Sequence, residues 1–368
     1  MDYLADLEKI VNINSFTKNK KGVDLVSKQM SLWFDKLGFE DICYTREHIG
    51  DHHLYSSPHN KTSKKILLLG HNDTVFPQHT FENFTQDKEW IYGPGVCDMK
   101  GGNIVALQAL RNLHDSGIKI ENIDFLLVSD EETGSDDSKI LTASLAKDYE
   151  YCFVFEAAGE NMEVVTARKG VGTFFIDIEG WASHAGTSYT KGVNANLEAS
   201  HKLIELTKLT NLELGTTVNV GKFEGGIGAN TISPLANLTF EIRYESNEQR
   251  DFLLTAIDDI VKTSYVEDTT STLSGGIQRD VMQESEEQSK LVKALEDISK
   301  TKILTEHRGG VSDANIISSS GVVTLDGFGP FGDGDHTKHE RALKKSFEIR
   351  IDLVTRVLKF FLKNDDLI

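Results

Sequence analysis

The 368-residue chain is poor in cysteine and proline, and it has no long hydrophobic run. Its cysteines, Cys43, Cys97 and Cys152, are widely separated and give neither a disulfide framework nor a CxxC pair. We therefore expect a reducing, cytoplasmic location. No apolar stretch approaches the roughly 20 residues of a membrane-spanning helix. The N-terminal MDYLADLEKIVNINSF lacks a basic start followed by an apolar run, which predicts an amphipathic helix and not a signal peptide.

Positive charge is also in short supply. The chain has 39 Lys and Arg against 57 Asp and Glu, giving a formal net charge of -18. Such a charge opposes binding to nucleic acid or to an anionic membrane, so we expect neither as a partner. It leaves open an acidic substrate held in a locally positive pocket. The hydrophobic content of 39% and the charged content of 26% are typical of a globular protein.

Short apolar runs alternate with helical patterns in the first part of the chain. The runs are ILLLG at 66–70, FLLVS at 125–129 and CFVFE at 152–156, and an amphipathic stretch at 103–113 separates the first two. This succession predicts an α/β fold with a mostly parallel central sheet and helices on both faces.

The middle of the chain has a different pattern. Strand and helix signals follow the order β-α-β-β-α-β, with a last strand near 265–273, which is the order of an inserted α+β ferredoxin-like domain. We therefore expect a catalytic domain formed by residues 1–169 and 274–368, interrupted by an inserted domain at 170–273.

Histidine and acidic side chains follow several of the apolar strands, where α/β proteins usually build their sites. Each has an ordinary interpretation when taken singly; Asp98, for example, could merely cap the helix that follows. Imidazole nitrogens and carboxylates together suit zinc, and carboxylates can bridge two metals. Their joint occurrence at strand ends favours a metal site. The residues are His71, Asp73, Asp98, Glu131, Glu132, Glu156 and His336.

Four motifs carry a family resemblance. GHNDTVFP resembles GHxDxVxP, GPGVCDMKGG resembles GxGxxDMKGG, SDEETGS resembles xDEExGS, and SHAGT at 183–187 matches a further signature. In this combination the chain resembles, over nearly its whole length, the dinuclear-zinc exopeptidase and deacylase family of glutamate carboxypeptidase, acetylornithine deacetylase and succinyl-diaminopimelate desuccinylase. The glutamate carboxypeptidase branch is the most similar.

The resemblance implies a pair of zinc ions in each chain, with cobalt or manganese as alternatives. Asp98 would bridge them and Glu131 would be the general base, while Asp73 would orient His71. A cis peptide after Asp98 is also implied. We further expect the side chains of Glu131 and Glu132 to diverge because adjacent residues in an extended strand point opposite ways. The implied ligands are His71 and Glu156 for one ion, and Glu132 and His336 for the other.

Substrate contacts are implied mainly in the inserted domain. His184 would stabilise the oxyanion from the second subunit of a homodimer. Asn230 and Arg243 would bind substrate, although Arg243 could equally be a surface cross-strand charge. The segment RGGVSDAN resembles a turn near the substrate, and this places Gly310 and Ser312 among the candidate substrate-binding residues.

The sequence departs from the family pattern at GDGDHTKHE, where Lys338 and His339 replace proline and aspartate. The position relative to Thr337 favours His336 over His339 as the ligand. Asp333 and Asp335 add negative charge nearby, which leaves the substrate preference open.

These patterns predict a zinc hydrolase that cleaves an amide beside a free amino-acid carboxylate, acting as a carboxypeptidase on small peptides. An N-acyl amino acid deacylase is the alternative with the same chemistry. A non-catalytic binding homologue is the alternative from another class. A serine hydrolase is disfavoured because no GxSxG elbow occurs.

Overall fold

The computed structural model describes residues 3–60 and 64–368. The first two residues of the predicted N-terminal helix therefore lie outside the described residues. Contacts divide the chain into two compact units. The first comprises Met1–Ala167, Glu284–Arg308 and Ser312–Ile368, and the second comprises Arg168–Gln283 and Gly309–Val311.

The secondary structure alternates helices and strands through much of the chain. In chain order, the helices are α1 (Tyr3–Val11), α2 (Lys20–Asp35), α3 (Lys100–Asp115), α4 (Ser138–Ala146), α5 (Ala195–Lys208), α6 (Asn247–Lys262), α7 (Glu286–Ser299), α8 (Asp313–Ser319) and α9 (Lys344–Asn364). The strands are β1 (Glu40–Tyr44), β2 (His52–Ser56), β3 (Ile66–His71), β4 (Thr85–Gln86), β5 (Trp90–Tyr92), β6 (Ile123–Val128), β7 (Tyr151–Val154), β8 (Val164–Arg168), β9 (Gly170–Glu179), β10 (Thr217–Gly225), β11 (Leu235–Tyr244), β12 (Thr270–Arg279), β13 (Thr305–Arg308), β14 (Val323–Leu325), β15 (Gly332–Asp333) and β16 (Arg341–Leu343).

The main sheet of the first unit has the spatial order β1-β2-β6-β3-β7-β14. Strand β2 pairs antiparallel with both of its neighbours, and the remaining strands run in one direction. Every residue of β3 and β6 is buried. Strands buried on both faces have continuous apolar sequences, which is why these runs show no polar alternation. The prediction of a mostly parallel sheet is confirmed.

Helices cover both faces of this sheet. Ile66 and Leu68 belong to a large hydrophobic cluster with residues of α1, α2, α3, α7 and α9. Leu67 and Leu69 point to the opposite face and are equally buried. Helix α8 packs on β7 and β14 and against α4, outside that cluster. The predicted α/β layering is thus correct.

A smaller sheet, β15-β16-β5-β4, places two loops of the first unit side by side. Tyr92 pairs with Arg341 in the β5–β16 ladder. The segment 93–99, after β5, therefore lies beside the segment 333–340, before β16. These loops carry Asp98 and His336.

The second unit follows the order β9-α5-β10-β11-α6-β12 and has its own hydrophobic cluster. Its sheet has the order β10-β11-β9-β12, with antiparallel neighbours, so the ferredoxin-like arrangement is confirmed. The predicted end at residue 273 is wrong, because β12 continues through Gly275 and Gly276. At Gly275 (φ +90°) a Cβ would lie 2.3 Å from the Thr173 carbonyl oxygen, so glycine here permits close strand pairing instead of ending the strand.

Within the described residues, no helix has both the length and the apolar character needed to cross a membrane.

Candidate metal centre

The end of β3 positions His71 and Asp73 on one side of the chain. His71 Nδ1 lies 3.1 Å from the Asp73 carbonyl oxygen and 3.3 Å from Asp73 Oδ1. The intervening Asn72 points elsewhere and donates to Ser27 Oγ on α2 at 2.6 Å. His71 and Asp73 therefore point in the same general direction, as the alternation of side chains along a strand predicts. Because Nδ1 is held by Asp73, Nε2 of His71 is the ring nitrogen presented to the cluster.

Asp73 is itself fixed by a residue that the sequence analysis did not single out. Its side chain is fully buried, and Thr17 Oγ1 donates to Asp73 Oδ2 at 2.7 Å. The backbone N–H of Glu132 donates to the same oxygen at 3.2 Å. Asp73 therefore connects the β3 end to the acidic turn after β6. The sequence pattern could not reveal Thr17 because the contact spans 56 residues.

Asp98 lies between two histidines. Its Oδ1 is 3.1 Å from His71 Nε2, and its Oδ2 is 3.2 Å from His336 Nε2. The N-cap of α3 is Met99, which makes no side-chain cap hydrogen bond. The ordinary interpretation of Asp98 as a helix cap is therefore wrong, and the Asp98–Met99 peptide is cis, as the resemblance implies.

Glu340 holds the turn that carries Asp98, and it too escaped the sequence analysis. Its buried carboxylate accepts hydrogen bonds from the backbone N–H groups of Gly95, Cys97 and Asp98 at 3.0, 3.0 and 3.1 Å. Each donor would otherwise be an unpaired polar group in a buried turn, which costs about 1–3 kcal/mol. The sequence gives no motif for Glu340, because its partners are backbone groups more than 240 residues away along the chain.

The acidic turn differs from the expected extended backbone. Glu131–Thr133 form a 3₁₀ turn, closed by Gly134 at φ 99°. Asp130 stabilises the bend, since its Oδ2 accepts from the N–H groups of Asp137 and Ser138 at 2.9 and 3.2 Å. The extended-strand argument was therefore wrong. The two glutamates nevertheless belong to different groups of potential ligands, since Glu132 joins His71 and Asp98 while Glu131 joins His71 and Glu156.

The remaining predicted residues of the first unit complete one cluster. Glu132 Oε2 lies 3.0 Å from His336 Nε2, and Glu156 Oε1 lies 3.7 Å from His71 Nε2. In each of the two groups defined above, the potential ligand atoms all lie within 4.8 Å of one another. The structure thus brings together His71, Asp73, Asp98, Glu131, Glu132, Glu156 and His336.

The buried carboxylates of this cluster carry negative charge that bound cations would neutralise. Burial, together with the nearby charge of Asp98, raises the pKa of Glu156 well above its usual range and that of Glu132 to about 8. Hydrogen bonds to Asp98 and Glu132 raise the pKa of His336 to about 11. Crowded carboxylates are neutralised either by protons or by divalent cations, and metal binding releases the protons. Imidazole and carboxylate donors around a shared aspartate fit a pair of such ions.

His184 lies in the second unit and has an exposed side chain. Its Nδ1 accepts from the backbone N–H groups of Gly186 and Thr187 at 3.1 and 3.2 Å. The neutral ring then carries its proton on Nε2, which becomes a hydrogen-bond donor. Asn230 lies beside it, because its carbonyl oxygen accepts from Ala185 N–H at 2.9 Å.

Arg243 is partly engaged within the second unit. Its guanidinium donates to Glu241 Oε1 at 2.7 Å and to the Gly309 carbonyl oxygen at 2.8 Å. Arg168 similarly donates to the Gly310 carbonyl oxygen at 3.0 Å. The carbonyl groups of the glycine pair therefore accept hydrogen bonds from two arginines, and the substrate contact implied for Arg243 stays a prediction.

Ser312 belongs to the first unit and is buried. Its hydroxyl caps α8 through Ala314 N–H and donates to Asp326 Oδ2 at 2.8 Å. These contacts give Ser312 a structural role, while the substrate contact implied by the resemblance stays a prediction.

Comparison with known proteins identifies the family. Residues 67–359 match peptidase family M20/M25/M40. The chain is 29% identical over 347 residues to carboxypeptidase G2 of Pseudomonas sp., covering 91% of this chain and 83% of that protein. It is 31% identical over 197 residues to acetylornithine deacetylase of Buchnera aphidicola, covering 48% of this chain and 50% of that protein. A tripeptidase structure from Staphylococcus aureus superimposes with a TM-score of 0.81 at 21% identity, covering 98% of both chains. The chain therefore belongs to peptidase family M20/M25/M40, a family of metal-dependent hydrolases.

Proposed function

We propose that the protein is a dinuclear-zinc carboxypeptidase that removes an amino acid with a free carboxylate from a small peptide. The observation that supports this most is the position of Asp98 between His71 and His336, with Glu131 in the same cluster. The similarity to carboxypeptidase G2 along 91% of the chain favours this branch of the family.

The residues divide into ligands and a proton carrier. Asp98 would bridge the ions, with His71 and Glu156 on one and Glu132 and His336 on the other. When bound, the ions would polarise the scissile carbonyl and lower the pKa of a water molecule. Glu131 accepts the proton of the attacking water and returns it to the leaving nitrogen. Asp73 fixes the imidazole of His71 through Nδ1, so that Nε2 faces the cluster.

An N-acyl amino acid deacylase is the second candidate, favoured by the similarity to acetylornithine deacetylase over about half of each chain. Both reactions use the same cluster, so the structure of the leaving and acyl groups distinguishes them. We would compare peptides with N-acetyl amino acids at equal concentrations of metal-loaded protein. Faster hydrolysis of the peptides supports the carboxypeptidase. Hydrolysis of the acetyl compounds alone supports the deacylase, and hydrolysis of neither supports a non-catalytic binding homologue.

We expect Arg243→Ala to raise KM selectively for substrates that carry a free carboxylate. A planar guanidinium recognises a carboxylate through paired hydrogen bonds, and hydrogen bonds to charged groups contribute about 1.5–3 kcal/mol, or roughly 10- to 100-fold in KM. The measurement compares KM for a peptide and for its C-terminal amide. Arg250→Ala is the matched control, since Arg250 is also ion-paired within this unit, to Asp251 and Asp280. An equal loss on the peptide and the amide in Arg243→Ala would refute the assignment.

We also propose that His184 acts across the interface of a homodimer, donating from Nε2 to the oxyanion of the partner's reaction. The supporting observation is its exposed ring, whose Nδ1 is occupied by Gly186 and Thr187 N–H groups. The test mixes two inactive variants, His184→Ala and Glu131→Gln, under conditions that exchange subunits. If the histidine acts across subunits, each mixed dimer regains one intact site, and random mixing restores about a quarter of the wild-type activity. No recovery in mixed dimers that are shown to form would contradict the proposal.

A further inference from the structure

We propose that Glu340 is a positioning residue of the candidate metal centre, which fixes the turn carrying Asp98 to the loop carrying His336 and so sets the affinity for both ions. Glu340 is neither one of the assigned ligands nor the base. Its role rests on the metal centre of the proposed function, and it is independent of which amide is cleaved.

The side chain of Glu340 is committed to the turn before α3. Glu340 is only 1% exposed, and its two carboxylate oxygens share three backbone donors. Oε1 accepts from the N–H groups of Cys97 and Asp98, and Oε2 accepts from that of Gly95. Backbone N–H groups that converge in this way form a concave site for an anion. Here the chain supplies the anion itself, from a position 242 residues after Asp98.

Glu340 also belongs to the loop that supplies His336, so one residue connects the two ligands. Its own N–H donates to the Thr337 carbonyl oxygen at 3.2 Å, next to His336 in the chain. Its carbonyl oxygen accepts from Gly93 N–H at 3.4 Å, at the start of the segment that leads to Asp98. Glu340 therefore bonds to this segment through both its backbone and its side chain. A displacement of Glu340 would move Asp98 relative to His336.

The position of Asp98 matters for both ions, because each of its oxygens faces a different histidine. Oδ1 lies 3.1 Å from His71 Nε2, and Oδ2 lies 3.2 Å from His336 Nε2. Metal–ligand distances in proteins vary by only about 0.2 Å. A turn that relaxes by more than this would weaken both bonds of a shared carboxylate. The three hydrogen bonds to Glu340 oppose such a relaxation at the backbone of Asp98 itself and of its neighbours.

A purely structural role of Glu340 predicts a different result. If Glu340 only stabilised the fold, its removal would lower the Tm of the metal-free protein and leave the zinc affinity of the folded protein unchanged. If Glu340 positions Asp98, the zinc affinity falls in protein that is still folded, because metal binding must then order the turn. The number of ions bound at saturation stays the same, since no ligand is lost.

The test measures the zinc affinity of full-length Glu340→Ala and of the wild-type protein by equilibrium dialysis against a competing chelator. Loss of a partner that orients a ligand typically costs roughly 10- to 100-fold in metal affinity. We expect a loss of that size for both ions, with about two ions per chain still bound at saturating zinc. At limiting zinc, kcat for a peptide should fall with KM unchanged, and it should recover as zinc is added.

Asp124→Ala is the matched control. Asp124 is also a fully buried carboxylate of the first unit, and it accepts from the backbone N–H of Ser57 at 2.8 Å. It lies near the start of β6, whereas the acidic turn of the metal centre follows the end of that strand. We expect this variant to have a lower Tm and the zinc affinity of the wild type. An equal loss of zinc affinity in both alanine variants would overturn the proposal.

Glu340→Gln keeps the test decisive if the alanine variant does not fold. Its single acceptor oxygen can serve Cys97 and Asp98, while its amide N–H₂ group faces the N–H of Gly95, so we expect a smaller loss of zinc affinity. Wild-type affinity in the folded alanine variant, or in Glu340→Gln where alanine is not tolerated, would overturn the proposal. A wild-type protein that binds no zinc would overturn the proposed function as well. Zinc-loaded protein that cleaves no peptide would contradict only the proposed function.

Discussion

Glu131→Gln is expected to abolish amide hydrolysis while the metals stay bound. Glutamine preserves the size of the side chain but cannot accept and return a proton. General acid–base catalysis contributes roughly 10²- to 10⁴-fold, and we expect kcat to fall by at least that factor. Glu131 is a member of the cluster with His71 and Glu156, but its proposed role is that of a base and not of a ligand. The measurement is kcat together with the metal content of the same preparation.

Asp136→Asn is the matched control for this variant. Asp136 lies in the same loop, but its side chain is 78% exposed and pairs with Lys139. We expect its kcat and metal content to equal those of the wild type. Substantial hydrolysis by Glu131→Gln would contradict the role of base, and a loss of metal would show that Glu131 is a ligand instead.

Asp98→Asn is expected to release both metals, in contrast to substitutions of the ligands that serve one metal. Each oxygen of Asp98 faces a different histidine, at 3.1 and 3.2 Å. Asparagine offers one oxygen and turns an N–H₂ group towards the other position, where a cation would be repelled. Metal content after dialysis should fall from about two ions per chain to nearly none. Glu156→Gln and His336→Ala should each retain about one ion.

Asp333→Asn is the control for Asp98→Asn. It tests whether a loss of bound metal merely reflects the removal of one negative charge. Asp333 is exposed, and its carboxylate is engaged in a bidentate pair with Arg341, at 2.8 and 2.9 Å. We expect it to keep both metals. Full metal retention by Asp98→Asn would contradict a shared carboxylate at this position.

The fold was predictable wherever burial determines the sequence pattern. Strand β3 is buried on both faces, so it appears as an uninterrupted apolar run, and the amphipathic α3 shows a helical period. The end of β12 was missed for a specific reason. Gly275 and Gly276 suggest a break by local propensity, whereas the close approach of Thr173 requires a glycine inside the strand.

The sequence predicted those residues of the candidate metal centre that lie within recognisable motifs. His71, Asp98 and Glu132 come together as the motifs imply. The backbone of Glu131 and Glu132 was not predictable, because the 3₁₀ turn depends on Asp130 bonding to Asp137 and Ser138. Thr17 and Glu340 were missed for a related reason: their partners are distant in sequence and become neighbours only after folding.

The central claim, a metal-dependent amide hydrolase built on this cluster, is tested most directly by returning zinc to chelated protein while following bound metal and peptide hydrolysis together. We predict no hydrolysis in the metal-free protein, and full activity once about two ions per chain are bound. Hydrolysis that continues in the metal-free protein would contradict the account, as would full occupancy without hydrolysis of any peptide or N-acyl amino acid.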